Sequence, residues 1–122
     1  MSRNIIIIGS IFCALAVAIG AFGAHGLKGV LEANGRLETF ETGVKYHFYH
    51  GLGLLLLGAL ADKIEQNWLK WAAVFMVIGI LIFSGSLYIL SITGINWLGA
   101  ITPIGGVGFI AAWIALALGA KK

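Results

Sequence analysis

Three histidines and a few hydroxyl side chains hold nearly all the reactive chemistry of this sequence: His25, His47, His50, Ser84, Ser86, Tyr88 and Thr102. Lys45 is the one charged residue inside or at the edge of an apolar run. His47 and His50 stand three residues apart, a spacing that brings two imidazoles to one side of a helix. Such a pair has three uses. The rings can be core groups bonded to backbone carbonyls, or to Ser84 and Tyr88 on another helix. They can hold a ligand or relay protons, because imidazole titrates near neutral pH. With His25 they can ligate a metal or haem, but no carboxylate or thiolate lies nearby within a span, and His-x-x-His alone is a weak signal. The core reading is adopted, and no metal or cofactor is expected.

The stretch Thr102-Pro103-Ile104-Gly105-Gly106-Val107-Gly108 interrupts an apolar run. A helix that starts at membrane depth presents free N–H groups and a positive dipole end, which suit an anionic group and mark substrate sites in transporters. The plainer reading makes Thr102 an N-cap ahead of Pro103 and the glycines a close-packing surface. Lys45 is read first as a snorkelling anchor paired with Glu41 at i,i+4, and also as a group that can hold an acidic ligand. For catalysis there is little. No span contains a carboxylate, there is no Gly-x-Ser-x-Gly or phosphate-binding loop, and no Ser has an acid partner, so a non-enzyme is expected.

The elements that must position these groups are long apolar runs. Hydrophobic residues make up 60% of the 122-residue chain and charged ones 11%, against about 25% charged in a soluble domain. Mean hydropathy is +0.99. No soluble fold of this size hides that much apolar surface. Spans are expected at about 5–24, 43–61, 69–91 and 97–119, each near the roughly 20 residues that cross a bilayer. That leaves a single transmembrane domain covering 1–122. The fold class is all-α, an up-down-up-down four-helix bundle with a short interfacial helix between spans one and two, where Leu27, Val30 and Leu31 oppose Lys28 and Glu32. Asn34-Gly35 then turns the chain.

In the first run Gly9, Cys13, Ala16, Gly20 and Gly23 form one narrow stripe of small residues, suited to close helix approach in lipid or to self-association. Cys13, the lone cysteine, is a packing residue there. Arg3 and Ala21-Phe22-Gly23 faintly resemble a signal peptide, but the apolar stretch is too long, so an uncleaved helix is expected. On span two, Gly43, His47, His50, Gly51, Leu54 and Gly58 share a face. Trp68 and Trp71 open span three at headgroup level. The fourth helix should begin at Pro103, with 97–101 a turn or oblique lead-in.

The net charge is +3, but the basic residues are scattered singly, which argues against nucleic acid. Arg3, Lys63, Lys70, Lys121 and Lys122 fall on the side of the termini, and Lys28, Arg36 and Lys45 on the other. This bias orients both termini toward the cytoplasm of a cell inner membrane. Antiparallel order then gathers His25, Lys45, His47, His50, Ser84, Ser86, Tyr88 and Thr102 into one membrane half. Polar groups at depth face the bundle interior, so an outward-facing polar pocket is expected.

These residues carry a family resemblance. Gly20-Ala21-Phe22-Gly23-Ala24-His25-Gly26-Leu27, Thr42-Gly43-Val44-Lys45-Tyr46-His47-Phe48-Tyr49-His50, Phe83-Ser84-Gly85-Ser86-Leu87-Tyr88 and Thr102-Pro103-Ile104-Gly105-Gly106 stand in matching order. Across essentially its whole length the chain resembles the small membrane proteins known as domain of unknown function 423. The resemblance implies a four-helix bacterial inner-membrane protein and no activity. The expected function is a multi-pass protein whose polar pocket binds a lipid headgroup, small solute or ion. A structural partner or assembly factor of a larger membrane complex is the alternative, and a small transporter or channel the third reading.

Overall fold

The computed structural model describes residues 1–121. The chain is all-α, with no β-strand among the described residues. Helix α1 spans Ser2–His25, α2 Lys28–Ala33 and α3 Leu37–Ala59. After a 3-10 turn at Ala61–Lys63, a rod of helix runs from Gln66 to Thr93 as α4 (Gln66–Gly79), a π turn (Ile80–Ser84) and α5 (Gly85–Thr93). A 3-10 turn at Asn96–Ala100 leads into α6, Thr102–Gly119.

Helix is what these sequences must form in lipid, because only a helix satisfies its backbone within one segment. Three segments are long and apolar enough to cross a membrane: Ser2–His25, Gln66–Thr93 and Asn96–Gly119. The outside carries large apolar side chains such as Val17, Phe22, Leu81, Val107 and Ile110, each more than half exposed, which require lipid as solvent. Helix α3 is long but is not among the three, since Glu38, Glu41, Lys45, His47 and His50 dilute its first half. The polar stretch ahead of residue 43 is itself helical, so α3 begins six residues earlier than the second span was drawn.

Small residues set the packing. Helix α1 lies against α3 with the numbering reversed: Gly58 faces Ile6, Gly51 faces Cys13, and Gly20 faces Val44. A Cβ added at Gly51 would sit 2.8 Å from Cys13 Sγ, and one at Gly9 would sit 2.9 Å from Leu54 Cβ. The small-residue stripe of α1 is therefore the surface that seats α3. In the same reversed sense, α6 packs along α4 and the π turn: Gly119 meets Trp68, and Gly105 meets Phe83. The apolar core runs through Ile5, Leu57, Ile64, Leu69, Met76 and Ala115.

Both ends of the bundle are fastened. Near the termini, Glu65 N–H donates to Gly119 O at 2.8 Å, Lys121 N–H to Lys63 O at 2.9 Å, and Ser2 Oγ to Gly58 O at 2.9 Å. At the far end Gly35, with φ +65°, turns the chain after α2. Asn34 Nδ2 donates there to Ser91 O and Ile92 O, both at 3.0 Å, and Arg36 Nη2 to Asn96 Oδ1 at 2.7 Å. Asn34 thus satisfies carbonyls that the C-terminus of α5 leaves open.

Two local expectations are corrected. Thr102 does not cap α6: it is already the first helical residue, preceded by Ile101 in helical conformation, and a cap needs extended backbone. The cause is the 3-10 turn, which feeds the chain into α6 without an extended residue. Glu41 and Lys45 do not pair; the ion pair among the described residues is Lys28–Glu32 at 3.9 Å.

A candidate functional site between α3, α5 and α6

The buried polar residues fall into three linked stations. At the first, His47 of α3 is 3% exposed, and its Nδ1 lies 2.7 Å from Tyr88 Oη on α5. Phe12 of α1 stands edge-on to the same ring, with centroids 5.8 Å apart. One turn earlier, Ser84 Oγ donates to the Gly43 carbonyl at 2.7 Å. That bond is possible because Gly43 has no side chain: a Cβ there would press on Tyr88 at 3.0 Å. His47 Nε2 has no hydrogen-bond partner, nor has Ser91 Oγ.

The second station joins α5 to α6. Ser86 Oγ and Thr102 Oγ1 are 2.6 Å apart, and each also lies within reach of a nearby carbonyl, Phe83 O at 2.9 Å and Leu98 O at 3.4 Å. One hydroxyl proton lies between the two oxygens at a time, while the other hydroxyl bonds its carbonyl.

The third station joins α3 to α6. Trp113 Nε1–H donates to His50 Nε2 at 3.0 Å, and His50 Nδ1 is 2.8 Å from Tyr46 O. A carbonyl only accepts and an indole N–H only donates, so His50 is neutral with its proton on Nδ1. Phe109 stacks on the imidazole at 3.6 Å between centroids and 11° between planes. His47 and His50 therefore engage different partners on different helices. Among the described residues no three His, Cys, Asp or Glu side chains gather as a metal site would require.

The remaining two candidates are exposed. His25 is the last residue of α1 and lies outside the bonded stations, and Lys45 lines shallow grooves between α1 and α3. A groove of about 680 Å³ opens over His50, walled by Tyr46, Tyr49, Phe83, Phe109 and Trp113 and rimmed by Pro103. The π turn shapes it. Its ladder shifts to i→i+5, with Gly85 N–H bonding Ile80 O, so Phe83 faces the groove while Ser84, the next residue, reaches α3.

Sequence reasoning missed the roles of Trp113 and Tyr46, and read Asn34 as a turn residue without its bonds to α5. Trp113 had a readable signal: a tryptophan deep in an apolar run, away from either end, has an N–H that needs a partner.

Residues 19–106 match the family described as "Protein of unknown function (DUF423)". The chain belongs to this family. Its relatives include the UPF0382 membrane protein YwdK of Bacillus subtilis (strain 168), 52% identical over 124 residues, covering 96% of this chain and 95% of that one. The UPF0382 membrane protein SSP2132 of Staphylococcus saprophyticus is 49% identical, covering 96% of each chain. The UPF0382 inner membrane protein YgdD of Escherichia coli (strain K12) is 36% identical, covering 99% of this chain and 92% of the relative. No solved structure matches. The family gives a multi-pass membrane protein, and its description assigns no activity.

Proposed function

We propose that the chain crosses the inner membrane four times as an up-down-up-down bundle, with α2 at the interface and both termini cytoplasmic. In this arrangement it is a non-enzymatic protein that holds a lipid-like amphiphile in the groove over His50. The observation that carries the reading is the split between bonded polar groups and open aromatic walls. His50, Ser84, Ser86 and Thr102 already have protein partners, so they fasten helices rather than solvate a hydrophilic solute or ion. The groove itself is walled by rings and aliphatic side chains, among them Tyr46, Phe83, Phe109, Val107 and Ile110. Its volume lies within the roughly 300–1,000 Å³ of small-molecule sites. Of the eight residues singled out by sequence, His50 floors this groove; the bonded ones fix its walls.

Native mass spectrometry of gently extracted protein tests this. The expected result is a retained amphiphile in wild type that is lost on Gly106→Leu, where a side chain would enter the groove past Phe83. Retention unchanged by that substitution refutes the assignment.

A further inference from the structure

A second groove follows the α1–α3 seam and borders the one over His50 at Tyr49, which lines both. It consists of two openings of about 240 and 290 Å³ that share Gly20, Val44 and Lys45. The upper opening is bounded by Ala24, Leu37 and Phe40 and carries Glu41 and Lys45; the lower continues to Ala16, Phe48 and Tyr49. Glycine keeps it open: a Cβ at Gly20 would meet Val44 at 3.1 Å, and one at Gly23 would meet the Phe40 ring.

Glu41 and Lys45 are both exposed and without an ion-pair partner among the described residues. A carboxylate and an ammonium, unpaired, stand at the head of an apolar furrow. Their order is also defined. Residue 37 begins α3 at one end of the bundle, and four residues of helix rise about 6 Å, so Glu41 lies nearer the surface than Lys45. Helical Cα–Cβ bonds tilt toward the N-terminus, here the surface end, so both side chains reach upward and the order is kept.

We propose that this seam binds a zwitterionic glycerophospholipid with a primary ammonium head, its phosphate on Lys45, its ammonium on Glu41 and one chain along Gly20, Ala16 and Phe48. In such a lipid the phosphate joins the glycerol and the ammonium lies beyond it, the same depth order as the two side chains. A primary ammonium has three N–H donors for the carboxylate, whereas a quaternary choline head has none.

The test uses the full chain in nanodiscs containing equal parts of phosphatidylethanolamine, phosphatidylcholine and phosphatidylglycerol, with bound lipid read by native mass spectrometry after gentle release. Phosphatidylethanolamine should dominate the adducts. Lys45→Gln should lower its retention roughly tenfold, as the loss of one charge-assisted contact implies, and Glu41→Gln should remove the preference over phosphatidylcholine. The exchange Glu41→Lys with Lys45→Glu keeps net charge but inverts the order, and it should not restore binding. Lys45→Arg should, which separates phosphate binding from mere folding. Adducts without headgroup preference, or retention unchanged in Lys45→Gln and Glu41→Gln, overturn the proposal.

Discussion

Gly105 and Gly106 are adjacent on α6 and have opposite surroundings, so replacing each in turn by alanine tests how closely α6 approaches the π turn. A Cβ on residue 105 would lie 2.7 Å from Phe83 Cβ and 2.8 Å from Phe83 Cα, and against the Phe83 amide nitrogen. None of these atoms can swing aside by a rotamer change. Carbon atoms rest at about 3.5–4.0 Å, so α6 would have to withdraw by about 1 Å. Overpacking of this kind costs about 1–3 kcal/mol, and a backbone clash belongs at the top of that range. Alanine recovers at most about 1 kcal/mol over glycine in helix propensity, leaving Gly105→Ala about 2 kcal/mol less stable than wild type. At residue 106 the nearest atoms are Phe83 ring carbons at 3.9 and 4.0 Å, an ordinary contact. Gly106→Ala should therefore be neutral or gain up to about 1 kcal/mol. The two variants then differ by about 2–3 kcal/mol, roughly thirtyfold to a hundredfold in the unfolding equilibrium. Sodium dodecyl sulfate titration of micelle-bound protein, followed by far-ultraviolet circular dichroism, measures that difference. If Gly105→Ala proves as stable as Gly106→Ala, α6 does not press on Phe83 and the geometry of the His50 groove falls with it.

Trp113→Phe keeps a ring but removes the donor to His50 Nε2. It should cost about 0.6 kcal/mol, and no more than about 1.7, in the same titration; a larger loss would mean the indole does more than bond His50. Asn34→Ala should lower stability by about 1 kcal/mol by freeing two carbonyls at the end of α5, read as a thermal midpoint in detergent, and it should leave amphiphile retention unchanged. A reporter active only in the cytoplasm should work when fused after the last residue, and one active only outside should work when inserted at Asn34-Gly35. The reverse pattern would overturn the charge-based orientation.

The parts of the fold that the sequence made legible are those fixed by local spacing and residue type. Gly9, Cys13, Gly20 and Gly23 recur with the period of one helix face, so the surface that α3 occupies could be drawn without coordinates. The Asn34-Gly35 turn was legible from residue type. What could not be read depends on how two helices are rotated relative to each other. His50 and Trp113 are 63 residues apart, and nothing local to either states that they meet. Thr102-Pro103 has the form of a helix start, but the preceding 3-10 turn removes the extended residue a cap requires. The early start of α3 was hidden because its first turns are polar on one side while burying Phe40, 3% exposed, against Gly23.

The π turn makes the whole outer half of the bundle depend on one surplus residue. Up to that point the buried positions of the rod, Leu69, Ala72, Met76 and Gly79, keep the beat of an α-helix, and continuing it would put residue 83 inside. Instead Ser84 is buried, and every later side chain is advanced by one position, about 100° around the axis. A chain lacking one residue between 80 and 84 would make a more regular helix of almost the same hydropathy. The same residues wound as one unbroken α-helix would turn Ser84, Ser86 and Tyr88 about 100° away from Gly43, Thr102 and His47. With one residue fewer, Ser84 would instead take the inward place that the α beat gives residue 83. Substitutions here perturb a contact at a time, whereas losing the π turn without losing a residue would put the two stations carried by Ser84, Ser86 and Tyr88 out of phase together.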